Sequence, residues 1–369
     1  MEFKINRETF LDGIQKTLGI VEKKTTIPIL NNILLKAEAN KIKIIATDRE
    51  IILISDYEAD VAEKGEITVS AKKIFEMIRE IQGEFINFVQ KNNIVKISSQ
   101  RAFYKIPGLP AEDFPSIVDD QDIPLHKIPG SVIKDLISKT SFAMATDETR
   151  KNLNGVLLEE GMDGVNHLLR MVATDGHRLA LAKSATTGHF LKAGKGIIIP
   201  RKGLMEIKKI IDENEDVKIG LHKNMFVLQT ENTILKVGLV DADYPDYKKV
   251  IPTEKGIKVD LNKEDFLHAL RRMSVVSSER YGGVILSFSE NKLTLNSTNL
   301  DVGEATEEID VEYGGEVVDC GFNVNYLIDA ISVVGKEKVV LEVGLGLKPS
   351  MIKHVDDDSY FCIIMPLKI

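Results

Sequence analysis

The sequence predicts an α+β protein of three tandem similar domains, each made of two modules in which a helix precedes strands. Three observations carry that prediction. A phrase recurs: IATDREIIL at Ile45–Leu53 returns as VATDGHRLA at Val172–Ala180, and their shared cores begin at Thr47 and Thr174. That spacing is close to one third of the 369-residue chain. The segments around the phrase repeat in the same order, with helical periodicity giving way to alternation each time.

The first copy opens on NRETFLDGIQKTLGIV, whose Leu11, Ile14, Leu18 and Val21 share a helical face. The phrase follows, then a short strand in GEITVS and a second helical face of Ile74, Met77, Ile78 and Ile81. Alternation in NIVKISS reads as strand, and GLPAEDFPSI closes the copy. The second copy runs through PGSVIKDLISKTSFAMA, with Ile133, Leu136, Ile137 and Met144, to GKGIIIPRKGLMEIKKII, with Leu204, Ile207 and Ile211. It continues through NMFVLQTE and closes on GLVDADYPDYKKV. The third begins at NKEDFLHALRRMSVVSSE, with Phe266, Leu270, Met273 and Val276, and replaces the phrase by NSTNLD. EVVDCGFNVNYLIDAISVV supplies its second helix through Val324, Leu327, Ile331 and Val334, before KVVLEVGLG. The expected domains are 1–120, 121–252 and 253–369.

Composition narrows the function. The net charge of −8 argues mildly against a dedicated nucleic-acid binder, unless the distribution overrules the total. Two cysteines, Cys320 and Cys362, form no zinc-type spacing, so the expectation is a reducing compartment with no metal or cofactor. MEFKINRETF lacks an apolar signal core, and no run reaches the roughly 18 apolar residues of a spanning helix. A soluble, cytoplasmic protein without membrane partners is the expectation.

VATDGHRLA invites an enzymatic reading in which Asp175 and His177 form an acid–base couple. Nothing completes such a site: there is no nucleophile elbow and no GxxxxGK phosphate loop. The first copy has Arg49 and Glu50 at the corresponding place. The shared Thr-Asp core therefore reads as turn chemistry, and no catalytic residue is expected.

Basic residues recur at helical spacing. Lys72 and Arg79 lie seven apart, as do Arg201 and Lys208, and Lys202 and Lys209; Arg271 and Arg272 add charge to the fifth helix. A sparse basic lining in an acidic body suits phosphate contact without base readout. An ordinary solvated helix face is the other reading, and the sixth helix carries no Lys or Arg.

IPILNNILL, LNGVLLE, VATDGHRLA, IPRKG, YPDYKKVIP, GFNVNYLIDA and IIMPLKI together make the whole chain resemble the bacterial sliding clamps, the beta subunits of DNA polymerase III. The resemblance implies the DNA clamp fold, with two copies closing head to tail into a ring, helices lining the hole and sheets outside. It implies a processivity factor and no enzyme. The implied partners are encircled double-stranded DNA, the replicative polymerase catalytic subunit, the clamp loader, repair and translesion polymerases, and a second copy of the chain. Lys24, Lys73 and Arg150 join the seven-spaced cations and the Arg271–Arg272 pair as implied DNA contacts. A pocket for partner tails would take Leu153, Thr174, Gly176, His177, Arg178, Leu179, Pro245, Lys249, Val250, Asn323, Tyr326, Ile363, Met365, Pro366 and Leu367. Arg178 and Lys249 would hold polar or acidic peptide groups, and Leu179 would be a wall. Tyr104 and Ile106 would meet Val275 and Val276 of the neighbouring copy. Lys151 and Asn152 stand where some members carry aromatics, which puts a stacking contact there in doubt. A scaffold that binds protein tails without encircling DNA is the remaining alternative.

Overall fold

Each helix is launched directly from a strand, and the last residue of the strand often supplies the cap. Asn6 accepts from the Glu8 and Thr9 amides at the start of α1 (Arg7–Thr17), and Ser70 from the Lys73 amide at α2 (Ala71–Glu80). α3 (Gly130–Thr140) and α4 (Arg201–Ile210) follow strands that end in Pro129 and Pro200. Asn262 and Asn323 cap α5 (Lys263–Val276) and α6 (Val324–Ser332). Such caps satisfy amides that the first turn leaves without partners. The computed structural model describes residues 1–21, 27–117, 123–164, 166–186, 191, 196–254, 256–277 and 282–368. Lys24 lies outside them.

The module is a strand, a helix and three antiparallel strands, so the helix is not its first element. The launching strands are exchanged between the two modules of a repeat. Glu2–Asn6 pairs with Phe85–Lys91 of the second module, and Gly65–Ser70 pairs with Asn32–Glu38 of the first. The second repeat exchanges Leu125–Pro129 and Ile197–Pro200 in the same way, and the third exchanges Ile257–Asn262 and Val318–Asn323.

Four sheets result. Two are short: five strands ending at the edge strand Ala102–Pro107, and four strands ending at Gly303–Asp310. Two have eight strands, because Thr233–Gly238 pairs with Ile51–Glu58, and Arg178–Ala185 pairs with Tyr360–Ile364. The chain divides into two compact units: one mainly of Met1–Ser131 and Lys202–Leu239, the other mainly of Val132–Thr187 and Val240–Ile369. Each sheet lies within one unit.

The helical faces mostly bury as the periodicity predicts: Ile74 and Ile78, Leu136 and Ile137, Leu204 and Ile207, Phe266 and Leu270, Leu327 and Ile331. α1 is rotated from expectation. Phe10, Gly13, Ile14 and Thr17 face inward, while Leu11 and Leu18 are only half-buried. Gly13 permits this, since a Cβ there would stand 2.6 Å from the Tyr57 ring. Among the described residues, no helix is long and apolar enough to cross a membrane.

Candidate partner-peptide site

The repeated phrase builds the same turn twice. In the first copy, Thr47 donates to the Ile51 carbonyl, and Asp48 Oδ1 accepts from the Glu50 and Ile51 amides at 2.9 and 2.6 Å. In the second, Thr174 donates to the Arg178 carbonyl, and Asp175 Oδ1 accepts from the His177 and Arg178 amides at 2.9 and 3.0 Å. Arg49 and Gly176 occupy the same left-handed position, at φ 80° and 91°. The Asp side chain replaces a backbone acceptor, which is what Thr-Asp offers a tight turn. NSTNLD makes a different turn, in which Asn299 accepts from the Asp301 amide.

The free oxygen of each turn Asp reaches a cation. Asp48 Oδ2 takes Lys202 Nζ at 2.5 Å, and Asp175 Oδ2 takes Arg178 Nε at 3.1 Å. Asp175 is thus engaged by the turn and by Arg178, not paired with the His177 ring.

Arg178 is held from several elements at once. Nη1 donates to Asp329 at 2.6 Å and Nη2 to the Phe142 carbonyl at 2.6 Å, with the guanidinium carbon 4.3 Å from the Tyr326 ring centroid. Burial works against its charge, but the Asp329 hydrogen bond and the Asp329 and Asp175 carboxylates outweigh it and raise its pKa. A guanidinium held on all three nitrogens is fixed in position and orientation. Lys249 is strongly exposed and pairs with the exposed Asp246 at 3.3 Å.

The apolar part has a floor and a lip. Leu179 and Ile363 are 3% and 2% exposed, packed with Leu157, Val172, Leu181, Ile198 and Tyr247. Ile251 and Met351 pack on this cluster, so it underlies the groove, and Leu179 is not a free wall. The exposed apolar surface comes from Val250, Met365 and Leu367. Met365 N–H donates to the His177 carbonyl and Leu367 N–H to the Gly321 carbonyl, which brings the segment after the last strand beside both the turn and the strand before α6. That strand ends at Asn323, and Tyr326 stands one turn later. Lys249, Val250 and Met365 line a groove of about 410 Å³. Leu153 and Pro366 are half-buried and Pro245 is exposed.

Three residues beside the groove were not among the expected pocket residues. Tyr244 O–H donates to the Val172 carbonyl and Tyr247 O–H to Glu159, and burial raises both phenols' pKa. The two tyrosines of YPDY were the available signal. Arg150, one of the expected DNA contacts, donates to the Asp175 carbonyl at 3.0 Å and lies beside Gly176.

The basic helices are less free than their spacing suggests. Lys72 and Lys73 face Glu76, Arg79 pairs with Glu80, and Lys209 with the buried Glu206. Lys202 also donates to the Ile20 carbonyl, so it ties α4 to the first turn. Arg272 is clasped by Glu307. Arg201, Lys208 and Arg271 have no ion pair among the described residues. At the expected edge, Ile106 is 9% exposed and points with Tyr104 to the same side as Val95 and Ile97, into its own core. Phe103 and Lys105 face outward instead. Val275 is 76% exposed and Val276 half-buried.

The whole chain has known relatives. The DNA polymerase III beta subunit N-terminal, central and C-terminal domain models match residues 1–118, 127–246 and 248–368. It is 33% identical to the beta sliding clamp of Vibrio cholerae and 32% to that of Pseudomonas aeruginosa, each over 100% of both chains. Among solved structures, it is similar to the DNA polymerase sliding clamp from Caulobacter crescentus, with TM-score 0.91, 30% identity and full coverage of both chains. A griselimycin-bound sliding clamp from Bartonella birtlesii gives TM-score 0.95 at 29% identity, again with full coverage of both. Matched in every repeat and along its entire length, the chain belongs to the DNA polymerase III beta subunit family, the beta sliding clamps.

Proposed function

We propose that this chain is a non-catalytic processivity factor. Two copies close head to tail into a ring around duplex DNA in the cytoplasm. The groove beside Met365 takes short apolar tails of the replicative polymerase's catalytic subunit, the clamp loader, and repair and translesion polymerases. The three repeats act as domains 1–120, 121–252 and 253–369. The observation that carries the reading is the retention of all three repeats over the full length of relatives named beta sliding clamps.

The charges support loose DNA contact. Exposed ion pairs such as Lys72–Glu76 are weakened by solvent screening, so a phosphate can replace the carboxylate at little cost. Arg201, Lys208 and Arg271 are the cations already available. Contacts of this kind hold the backbone and leave sequence unread.

The two short sheets support head-to-tail closure. One ends in an edge strand with exposed Phe103 and Lys105, the other in an edge strand with exposed Glu304 and Asp310. Two open edges of opposite charge are protected when they meet.

The test uses plasmid DNA and the chain lacking residues 365–369. The intact protein, once loaded, stays on nicked circles through gel filtration and is lost on linearisation. The shortened protein behaves likewise on DNA but no longer binds a fluorescent peptide with Gln, Leu and Phe anchors. Equal retention on linear DNA would leave a scaffold in place of a ring. Loss of circle retention by the shortened dimer would make residues 365–369 part of the ring.

A further inference from the structure

A second cavity of about 510 Å³ adjoins the tail groove on the same sheet face. Ile251 and Met351 line both, so the two form one track. Ile251, Met351 and Phe361 pack on the cluster that holds Leu179 and Ile363, which makes the floor continuous as well. Beyond Met351 the floor is Leu181, Phe361 and the exposed Met162.

The rim of the second cavity is cationic. Arg170, Lys183, Lys248 and Lys353 line it against one carboxylate, Asp358. Arg170 lies 3.4 Å from Glu159, and Lys353 lies 2.6 Å from Glu342. Lys248 is exposed and has no ion pair among the described residues. An apolar floor beneath a basic rim suits a peptide that alternates acidic and apolar side chains. Nucleic acid would satisfy the rim and leave Met162 and Phe361 without an apolar partner.

We infer that this second cavity receives an acidic, apolar-interrupted stretch flanking the anchor motif of the same partner tail. The inference rests on the tail-groove reading and deepens it. Charges at such a rim act mainly on encounter and on the choice among partners, so the flank would rank tails that share the same anchors.

Three fluorescent peptides test it: the anchor motif alone, and the motif extended at either end by alternating Asp, Glu and Leu. Anisotropy titrations are run at about 50 mM and about 300 mM salt. One extended peptide should bind about fivefold more tightly than the short one at low salt, an advantage that high salt screens. Lys248→Glu, and separately Lys183→Glu, should remove that advantage while leaving short-peptide affinity unchanged, which also reports an intact fold. The inference is overturned if the short peptide binds but neither extension gains, or if the gain survives both charge reversals. It is likewise overturned if an oligothymidylate of equal charge displaces the extended peptide's flank as well as a free acidic peptide does. Failure of the short peptide to bind would instead remove the tail-groove reading on which it rests.

Discussion

Asp175 engages both carboxylate oxygens within four residues of itself, and Asp48 does half of the same work in the first repeat. That chemistry was legible, because a Thr-Asp turn is local and its partners lie inside the quoted phrase. Arg178 was not legible: Phe142 and Asp329 reach it from other elements, and no spacing signals them. His354 was equally silent. It is 5% exposed, both ring nitrogens lack a hydrogen-bond partner among the described residues, and the ring meets Tyr360 edge-on. Burial, then Lys139, lowers its pKa; Lys336 acts in the same direction, while Asp357 and Asp135 act against it. The folded state therefore holds this imidazole neutral where the unfolded chain would protonate it. The unfolded chain binds the extra proton, so stability falls as pH drops below the ordinary His value of about 6.5. His354→Leu should remove that part of the acid sensitivity and, by deleting two unsatisfied polar atoms, stabilise by about 1 kcal/mol at neutral pH. Urea melts at pH 7 and pH 5 check both; an unchanged pH dependence would show that other groups carry it.

At the scale of elements, strand positions were readable but their facing was less so. RAFYKIPG is an edge strand as expected, yet Tyr104 and Ile106 share the side of Val95 and Ile97, and the outward residues are Phe103 and Lys105. A strand alternates every residue, so a one-residue error in facing exchanges core for surface. The same applies to α1, where Gly13 sets the rotation through its close approach to Tyr57. These faces bear on the proposed ring contact. Val275, largely exposed in the single chain, should accept Asp with little change in folding, whereas an unpaired charge buried at an interface costs about 3–5 kcal/mol. Val275→Asp is expected to give a monomer with unchanged circular dichroism. Sedimentation reads the mass, and a surviving dimer would move the contact away from the end of α5.

At the scale of the whole molecule, the triplication was written in side-chain periodicity, which repeats visibly. Strand exchange between modules and the joining of repeats through shared sheets were not. Both depend on backbone hydrogen bonds, which look alike for every residue type. The central repeat shows the consequence most sharply. Its Arg178–Ala185 strand is completed by Tyr360–Ile364 from the third repeat, and its Thr233–Gly238 strand by Ile51–Glu58 from the first. Residues 127–246 match one family domain, yet produced alone they would present two open edges. Leu181 and Leu235, both buried in the full chain, stand on those edges. Unpaired apolar edges template association, so the isolated segment should aggregate or remain only partly folded. Segments 1–246 and 127–369 each restore one of the two pairings and should be intermediate. Light scattering with far-ultraviolet circular dichroism at matched concentration ranks the three against the intact chain. A monomeric 127–246 that melts cooperatively would show that each repeat closes its own core, and that the joined sheets follow from folding without being required for it.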